Sequence, residues 1–359
     1  MTKKSIVVVG GGYLGSQLAS SLDEFLDVTL VEPMESFVHA PAMLRSLVDP
    51  RLLDAALFPY EKLLKHGRIV TEHATKLDKS GITLASGDHL SADYYVVATG
   101  SSNGFAFKPD KGDLESFLKA QAELAKSIAN AKSIAIVGAG AVGTELAGEI
   151  AHARPEKKIT LISADTRLFP SMPAKLGGSL ANKLTDLGVE LRFGTRAENL
   201  ASLTEPSSGT LQLGNGDQIT ADLIIPAIGS KPQTALLSDL PGTRMGTSNR
   251  FSVDAYLRPS DLDNVFAAGD AVDAGDAMTI VAISRQQPWL TKTLKALAEG
   301  KSLTSQKKYT PWGNAPILVP IGPRRGNSYL GFATVGDWIT RSMKGRDLFI
   351  TKYRKLLRQ

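Results

Sequence analysis

Two stretches of this sequence, 128 residues apart, carry the same arrangement, and that repetition leaves few folds open to the chain. The first runs from Ser5 to Glu32. It opens on the apolar run Ile6-Val7-Val8-Val9, the composition of a strand covered on both faces. Gly10, Gly12 and Gly15 follow in G-x-G-x-x-G spacing, with Tyr13 and Leu14 between them, and Leu14, Leu18 and Leu22 fall on one helical face. A second apolar strand, Val28 to Val31, ends in Glu32. The first glycine permits a tight turn, the second lets the backbone approach a pyrophosphate, and the third lets helix pack closely on strand. The helix N-terminus then offers free N–H groups and a favourable dipole to an anion. Glu32, 17 residues after Gly15, is placed to accept hydrogen bonds from ribose hydroxyls.

The second copy reads Ser133 to Val137 as strand, then Gly138, Gly140, Val142 and Gly143 at the turn, then a helix through Ile150 and a strand from Lys158 to Ser163. It ends on Ser163, not on an acid, and Arg167 lies four residues later. An acid selects the free ribose 2′-hydroxyl, whereas an Arg accommodates a 2′-phosphate. The second cradle is therefore expected to accept NADPH alongside NADH. The likeness extends further, since Ala92 to Gly100 (ADYYVVATG) parallels Ala221 to Gly229 (ADLIIPAIG).

Between and after these copies the pattern gives a short helix entered at Pro41 and carrying Arg45, a strand from Arg68 to Asp78, and a hairpin from Gly81 to Leu90. A linker covers 103–112, with a helix from Leu114 to Ala129 after it. A helix is expected from Lys175 to Leu187 and a strand from Gly188 to Phe193, followed by a hairpin from Leu211 to Ile219. An apolar strand ends at Gly269-Asp270, and a helix from Ser284 to Glu299 is expected to be entered through Pro288. Arg45 reads equally as a cover for a cofactor pyrophosphate or as a surface cation.

Composition then removes chemistries. The chain has no cysteine, so disulfides, thiolate metal sites and thiol relays are excluded. Its five histidines show no metal-ligand spacing and read as surface or loop residues. No apolar run reaches about 18 residues, so no spanning helix is expected. With a strand read from residue 5 no leader is expected, and since Met1 is followed by Thr2 and not glycine no N-myristoyl signal is expected. Residues 301–359 hold 12 Lys or Arg against two acids, while the other 300 residues carry −5. Such a basic C-terminal region is suited to an anionic surface.

Taken together, Gly10-x-Gly12-x-x-Gly15 with Glu32, Ala98-Thr99-Gly100, Gly138-x-Gly140-x-x-Gly143, Ala227-Ile228-Gly229 and Ala268-Gly269-Asp270 resemble the pyridine nucleotide–disulfide reductase-like flavoprotein superfamily. The resemblance implies an α/β fold with two Rossmann-like, three-layer ββα dinucleotide-binding domains. The NAD(P)H domain (109–231) is inserted in an FAD domain (1–108 and 232–300), and a small α+β region (301–359) closes the chain. It implies FAD on Gly10, Gly12, Tyr13, Leu14, Gly15, Glu32, Arg45, Ala74, Thr99, Gly100, Gly269 and Asp270. It implies NAD(P)H on Gly138, Gly140, Val142, Gly143, Ser163, Arg167 and Gly229.

The ending Lys344-Gly345-Arg346-Asp347-Leu348-Phe349, with Pro320-Ile321-Gly322-Pro323, resembles the apoptosis-inducing-factor-like, mitochondrion-associated branch that includes the ferroptosis-suppressor quinone reductases. That likeness implies hydride transfer from NAD(P)H to FAD and electrons onward to a quinone. Glu145 would face the nicotinamide, with Lys344 and Phe349 on the acceptor side. A cytoplasmic protein, resting on the cytosolic face of a membrane, follows as an expectation, as does a homodimer; nucleic acid is not expected. Two other readings stay open: a ferredoxin- or rubredoxin-type reductase, and a NAD(P)H-sensing interaction protein. In the tail, Leu348, Phe349, Tyr353, Leu356 and Leu357 recur at helical spacing among basic residues. That stripe fits a membrane surface, or equally the protein's own body or a dimer partner.

Overall fold

The computed structural model describes residues 3–102, 107–109 and 113–358. Met1-Thr2 and most of the 103–112 linker lie outside the described residues. Both apolar runs are strands covered on two faces: Ile6 to Val9 and Ile134 to Val137 are at most 6% exposed. Ser5–Val9 is the middle of a five-stranded parallel sheet in the order Val265–Ala267, Tyr94–Val97, Ser5–Val9, Asp27–Val31, Arg68–Val70. Ser133–Val137 is the middle of a second sheet, ordered Val189–Arg192, Lys158–Ile162, Ser133–Val137, Gln218–Pro226, Ser207–Gln212, in which the last strand alone runs antiparallel.

The helices are α1 (Tyr13–Leu22), α2 (Ala40–Ser46), α3 (Leu114–Asn130), α4 (Ala141–Ala153), α5 (Ala174–Asp186), α6 (Ile280–Ala298), α7 (Asp337–Thr340) and α8 (Ile350–Leu356). Helices α1 and α6 cover one face of the first sheet. An antiparallel sheet of Ala74–Asp78, Gly81–Leu84 and His89–Leu90 covers the other through Leu77, Ile82 and Leu84. The second sheet has α3, α4 and α5 on one side; on the other, Leu211, Leu213, Ile219 and Ala221, from the far end of its own edge hairpin, pack against Ala135, Val137 and Ile162. Each half is therefore three layers, the arrangement parallel sheets need to bury both faces. Since Val265–Ala267 returns to pair with Tyr94–Val97, the second sheet is inserted between two neighbours of the first. At the junction the outgoing and returning chains pair, Ser101–Ser102 against Lys231–Pro232.

The C-terminal region is a three-stranded antiparallel sheet, Ile317–Ile321, Arg325–Tyr329 and Thr334–Val335, followed by α7 and α8. It touches both halves. Val319 and Ile321 enter the core beside α4, whereas Leu348, Ile350, Tyr353 and Leu357 enter the core beside α1.

Two expectations need correction. The stretch Arg68 to Asp78 splits, because Arg68–Val70 joins the parallel sheet and Ala74–Asp78 belongs to the covering one. Helix α6 begins earlier than Pro288: the Thr279 side chain accepts from Ala282 N at 3.2 Å and caps it, leaving Pro288 inside the helix. Of the alternatives open for the tail stripe, packing on the protein's own body is the one seen for Leu348, Tyr353 and Leu357, at 1–3% exposure, while Leu356 turns outward.

Candidate functional site

Both glycine turns have the same backbone geometry. Gly10 has φ +99° and Gly138 φ +112°, and a Cβ on either would stand 2.5 Å from the carbonyl oxygen of Ala98 or Ala227. A Cβ on Gly15 or Gly143 would lie 1.8 Å from the carbonyl of Gly10 or Gly138. Gly12 and Gly140 face open space and begin α1 and α4 with no side chain capping the helix. Among the described residues, two helix N-termini thus have no side-chain cap and nothing within 4 Å of a Cβ at their leading glycine, which fits a pyrophosphate at each.

The turns differ in what surrounds them. Glu32 Oε2 accepts from Gly11 N at 2.5 Å and its Oε1 from Met34 N at 3.0 Å. Burial raises its carboxyl above the ordinary range, and those two N–H groups pull it back. Tyr60 Oη donates to the Gly11 carbonyl at 2.7 Å, a contact 49 residues away that no motif spacing signals. Tyr13 and Leu14 are buried, Leu14 in the core and Tyr13 against His39. His39, expected at the surface or in a loop, is fully buried. Its Nε2 lies 2.6 Å from the Leu348 carbonyl, which only accepts, so Nε2 donates; Nδ1 then accepts from Tyr13 Oη at 3.0 Å. One imidazole joins the first helix to the C-terminal tail.

In the second copy Ser163 Oγ accepts from Asp165 N at 3.2 Å. Arg167 Nη2 donates to Pro170 O at 2.6 Å and Met172 O at 3.3 Å. Its Nη1 is buried with no partner among the described residues, a donor left over for an incoming acceptor. Val142 is half-buried against the helix-side core.

At the ends of the central strands, Gly100 and Gly229 both have φ +68°. Thr99 Oγ1 donates to Gln233 O at 2.5 Å. Gly269 N donates to Gln286 Oε1 at 2.7 Å, and Gln286 Nε2 donates to Asp276 Oδ2 at 3.0 Å. Asp270 Oδ2 accepts from Ser101 Oγ at 2.6 Å and lies 4.0 Å from Lys108 Nζ. Burial lowers the Lys108 ammonium while Asp270 supports its charge. Gln286 and Lys108 were not singled out by sequence, since both come from segments remote from the glycine turns. Ala74 sits half-buried in the covering sheet, paired with Leu84.

Glu145 and Lys344 do meet. Lys344 Nζ donates to Glu145 Oε1 at 2.6 Å and to the Leu318 carbonyl at 3.2 Å, with the two side chains 11% and 7% exposed. Burial raises the Glu145 carboxyl and the Lys344 charge opposes that rise. Phe349 follows immediately after the buried Leu348. Both residues adopt left-handed backbone, φ 54° and 67°, and Asp347 Oδ1 accepts from Phe349 N at 3.1 Å. The Phe349 ring is half-buried with Lys352 Nζ 5.5 Å from its centroid. Arg45 differs from expectation. Its guanidinium is buried, paired with both oxygens of Glu149 and bonded to the Gly345 carbonyl, so it is not free to cover a pyrophosphate.

A model of the pyridine nucleotide-disulphide oxidoreductase family matches residues 59–300. The chain is 30% identical to apoptosis-inducing factor homolog B of Dictyostelium discoideum, over 98% of this chain and 96% of that one. It is 26% identical to ferroptosis suppressor protein 1 of Homo sapiens, over 99% and 96%. Among solved structures, a sulfide:quinone oxidoreductase from Aquifex aeolicus superposes with TM-score 0.79 at 16% identity, covering 99% of this chain and 91% of that one. NDH2 from Plasmodium falciparum, solved with NADH, superposes with TM-score 0.75 at 14% identity, covering 98% and 97%.

Proposed function

The chain belongs to the pyridine nucleotide-disulphide oxidoreductase family, in its apoptosis-inducing-factor-like branch, and from that premise we propose that it passes electrons from NAD(P)H through FAD to a quinone. We assign FAD to residues 1–108 and 232–300, NAD(P)H to 109–231, and acceptor access to 301–359. When bound, FAD supplies the redox chemistry, taking hydride from the nicotinamide and releasing electrons one or two at a time.

The protein's part is binding, orientation and charge. The bare N-termini of α1 and α4 take the two pyrophosphates. Glu32 and Tyr60 hold the backbone of the first turn, and Asp270, with Ser101 and Lys108 beside it at a strand end, would hold the ribityl or phosphate part of the flavin. The observation that carries the reading is the buried Lys344–Glu145 pair. It joins the first turns of the nucleotide helix to the C-terminal region in a chain that has no cysteine to relay electrons. A lysine held there stabilises negative charge developing on a reduced acceptor, and the carboxylate keeps that lysine charged. Phe349, five residues on, offers an aromatic face to a ring-shaped acceptor.

A lipid-soluble acceptor calls for contact with a membrane. No described helix is long and apolar enough to cross one. With Leu348, Tyr353 and Leu357 buried, the large apolar side chains exposed in the basic C-terminal region, among the described residues, are Phe332, Trp338, Met343 and Leu356, by 84%, 79%, 42% and 39%.

The test is NAD(P)H oxidation by flavin-loaded protein with a short-chain ubiquinone. A rate well above that with oxygen alone is expected. Equal rates remove the quinone reading; turnover that needs an added iron–sulfur protein replaces it with a ferredoxin-type reductase. A single slow reduction with no turnover marks a sensor.

A further inference from the structure

The guanidinium of Arg45 touches both sides of the charged pair without belonging to it. Its Nε and Nη2 donate to Glu149 Oε2 and Oε1 at 2.9 and 2.8 Å, and its Nη1 donates to the Gly345 carbonyl at 2.8 Å. Glu149 lies one helical turn beyond Glu145 on α4, and Gly345 directly follows Lys344. The helix that presents Arg45 is itself held from two directions. Gln121 of α3 donates to the Met43 carbonyl at 2.7 Å and to Ser46 Oγ at 2.8 Å. Ala42 and Met43 belong to the core beside α1, Leu44 and Leu47 to the core beside α4. Arg45 is therefore fixed to both halves of the molecule and grips the third region.

A lysine stem has many rotamers, and an ammonium reaches one spot reproducibly only if its backbone is fixed. A planar fork with donors in set directions is the group that can fix a carboxylate and a neighbouring carbonyl at once. We propose that Arg45 is a positioning residue that sets the Lys344–Glu145 contact, acting through Glu149 and the Gly345 carbonyl, and is not a ligand of the cofactor. The proposal rests on the reading of that pair as part of the redox site.

Arg45→Lys keeps the charge and loses the fork. In flavin-loaded full-length protein, labelling of Lys344 by acetic anhydride is followed by mass spectrometry, with exposed Lys301 as the internal reference. Lys344 is expected to react at least about fivefold faster in the variant. The anaerobic rate of flavin bleaching by NAD(P)H should fall about tenfold, with half-saturation by NAD(P)H and flavin content nearly unchanged. Labelling and bleaching like the parent overturn the proposal, as does flavin loss with Lys344 still protected. If Arg45→Lys fails to fold, the double variant Arg45→Met/Glu149→Met replaces the buried pair with apolar side chains of similar volume. Deprotected Lys344 there supports the brace, and parental protection overturns it. Deprotection in a protein whose parent shows no quinone turnover sinks the acceptor reading and leaves the brace standing.

Discussion

The helices that follow the two glycine turns start from the same backbone and end in different company. Two residues after the third glycine stands Gln17 in α1 and Glu145 in α4; six residues after it stand Ser21 and Glu149. In α1 these neutral positions face α6, where Gln287 Nε2 reaches Gln17 O at 3.4 Å and Ser21 Oγ at 3.0 Å. In α4 the two carboxylates are buried and matched by Lys344 and Arg45. The attachment to the C-terminal region differs as well. Tyr13 of the first turn reaches it through neutral His39, whereas its counterpart Ala141 has no group to offer and the second helix reaches it through charge. A duplicated cradle can thus keep its anion site and diverge in the helix face, because the face is free of the constraints that fix the turn.

The largest break in this symmetry should come from the turns themselves. Gly15→Ala and Gly143→Ala each force a Cβ to within 1.8 Å of a carbonyl oxygen. Each should destabilise its half by about 3 kcal/mol or more. Gly15→Ala is expected to lose the yellow flavin absorbance. Gly143→Ala should keep it and fail to bleach with NAD(P)H.

Next, Lys344→Met leaves the Glu145 carboxylate buried without its cation, at a cost of about 3–4 kcal/mol near neutral pH. Burial already raises the Glu145 carboxyl, so the folded state favours its protonated form and the penalty grows as pH rises through that raised value. Urea midpoints should therefore show a larger defect near pH 8 than near pH 5, and a flat difference would place Glu145 outside the pair's electrostatics.

The first strap titrates in the opposite sense. Burial lowers His39 to about 4. The unfolded chain takes up that proton first, so stability is full above about pH 6.5 and declines toward pH 4 by about 3 kcal/mol. His39→Gln retains a donor for Leu348 and an acceptor for Tyr13 without titrating. Its urea midpoint should lose that part of the acid dependence, and an unchanged slope would show that His39 does not carry it. The smallest effect is expected at the ribose end. Ser163→Glu gives the second copy the residue of the first, and should raise the half-saturating NADPH concentration about tenfold relative to NADH. Equal change for both nucleotides would mean that residue 163 does not read the 2′ position.

Much of this could be read from the chain. The two glycine turns, the strands before them and the hairpin cover of each half follow from local spacing, since a tight turn and a buried strand depend on a few adjacent residues. Glu145, Lys344 and Phe349 were reached by resemblance, and only the fold showed the 2.6 Å contact between the first two. Tyr60, Gln286 and Lys108 left no trace in the spacing because each lies at least seven positions from the partner it meets. The tail was ambiguous because an apolar stripe reads the same whether it meets lipid or protein.

Local sequence determined two glycine turns suited to an anion and a chain without thiols, because backbone sterics and composition act over short range, while the three layers of each half were implied by resemblance. Tertiary structure decided that Arg45 is buried against Glu149 and the Gly345 carbonyl, that His39 is a buried strap, and that the tail turns inward. Those outcomes depend on which distant surfaces have room and charge to receive a side chain, and that is set only when both halves and the C-terminal region are assembled.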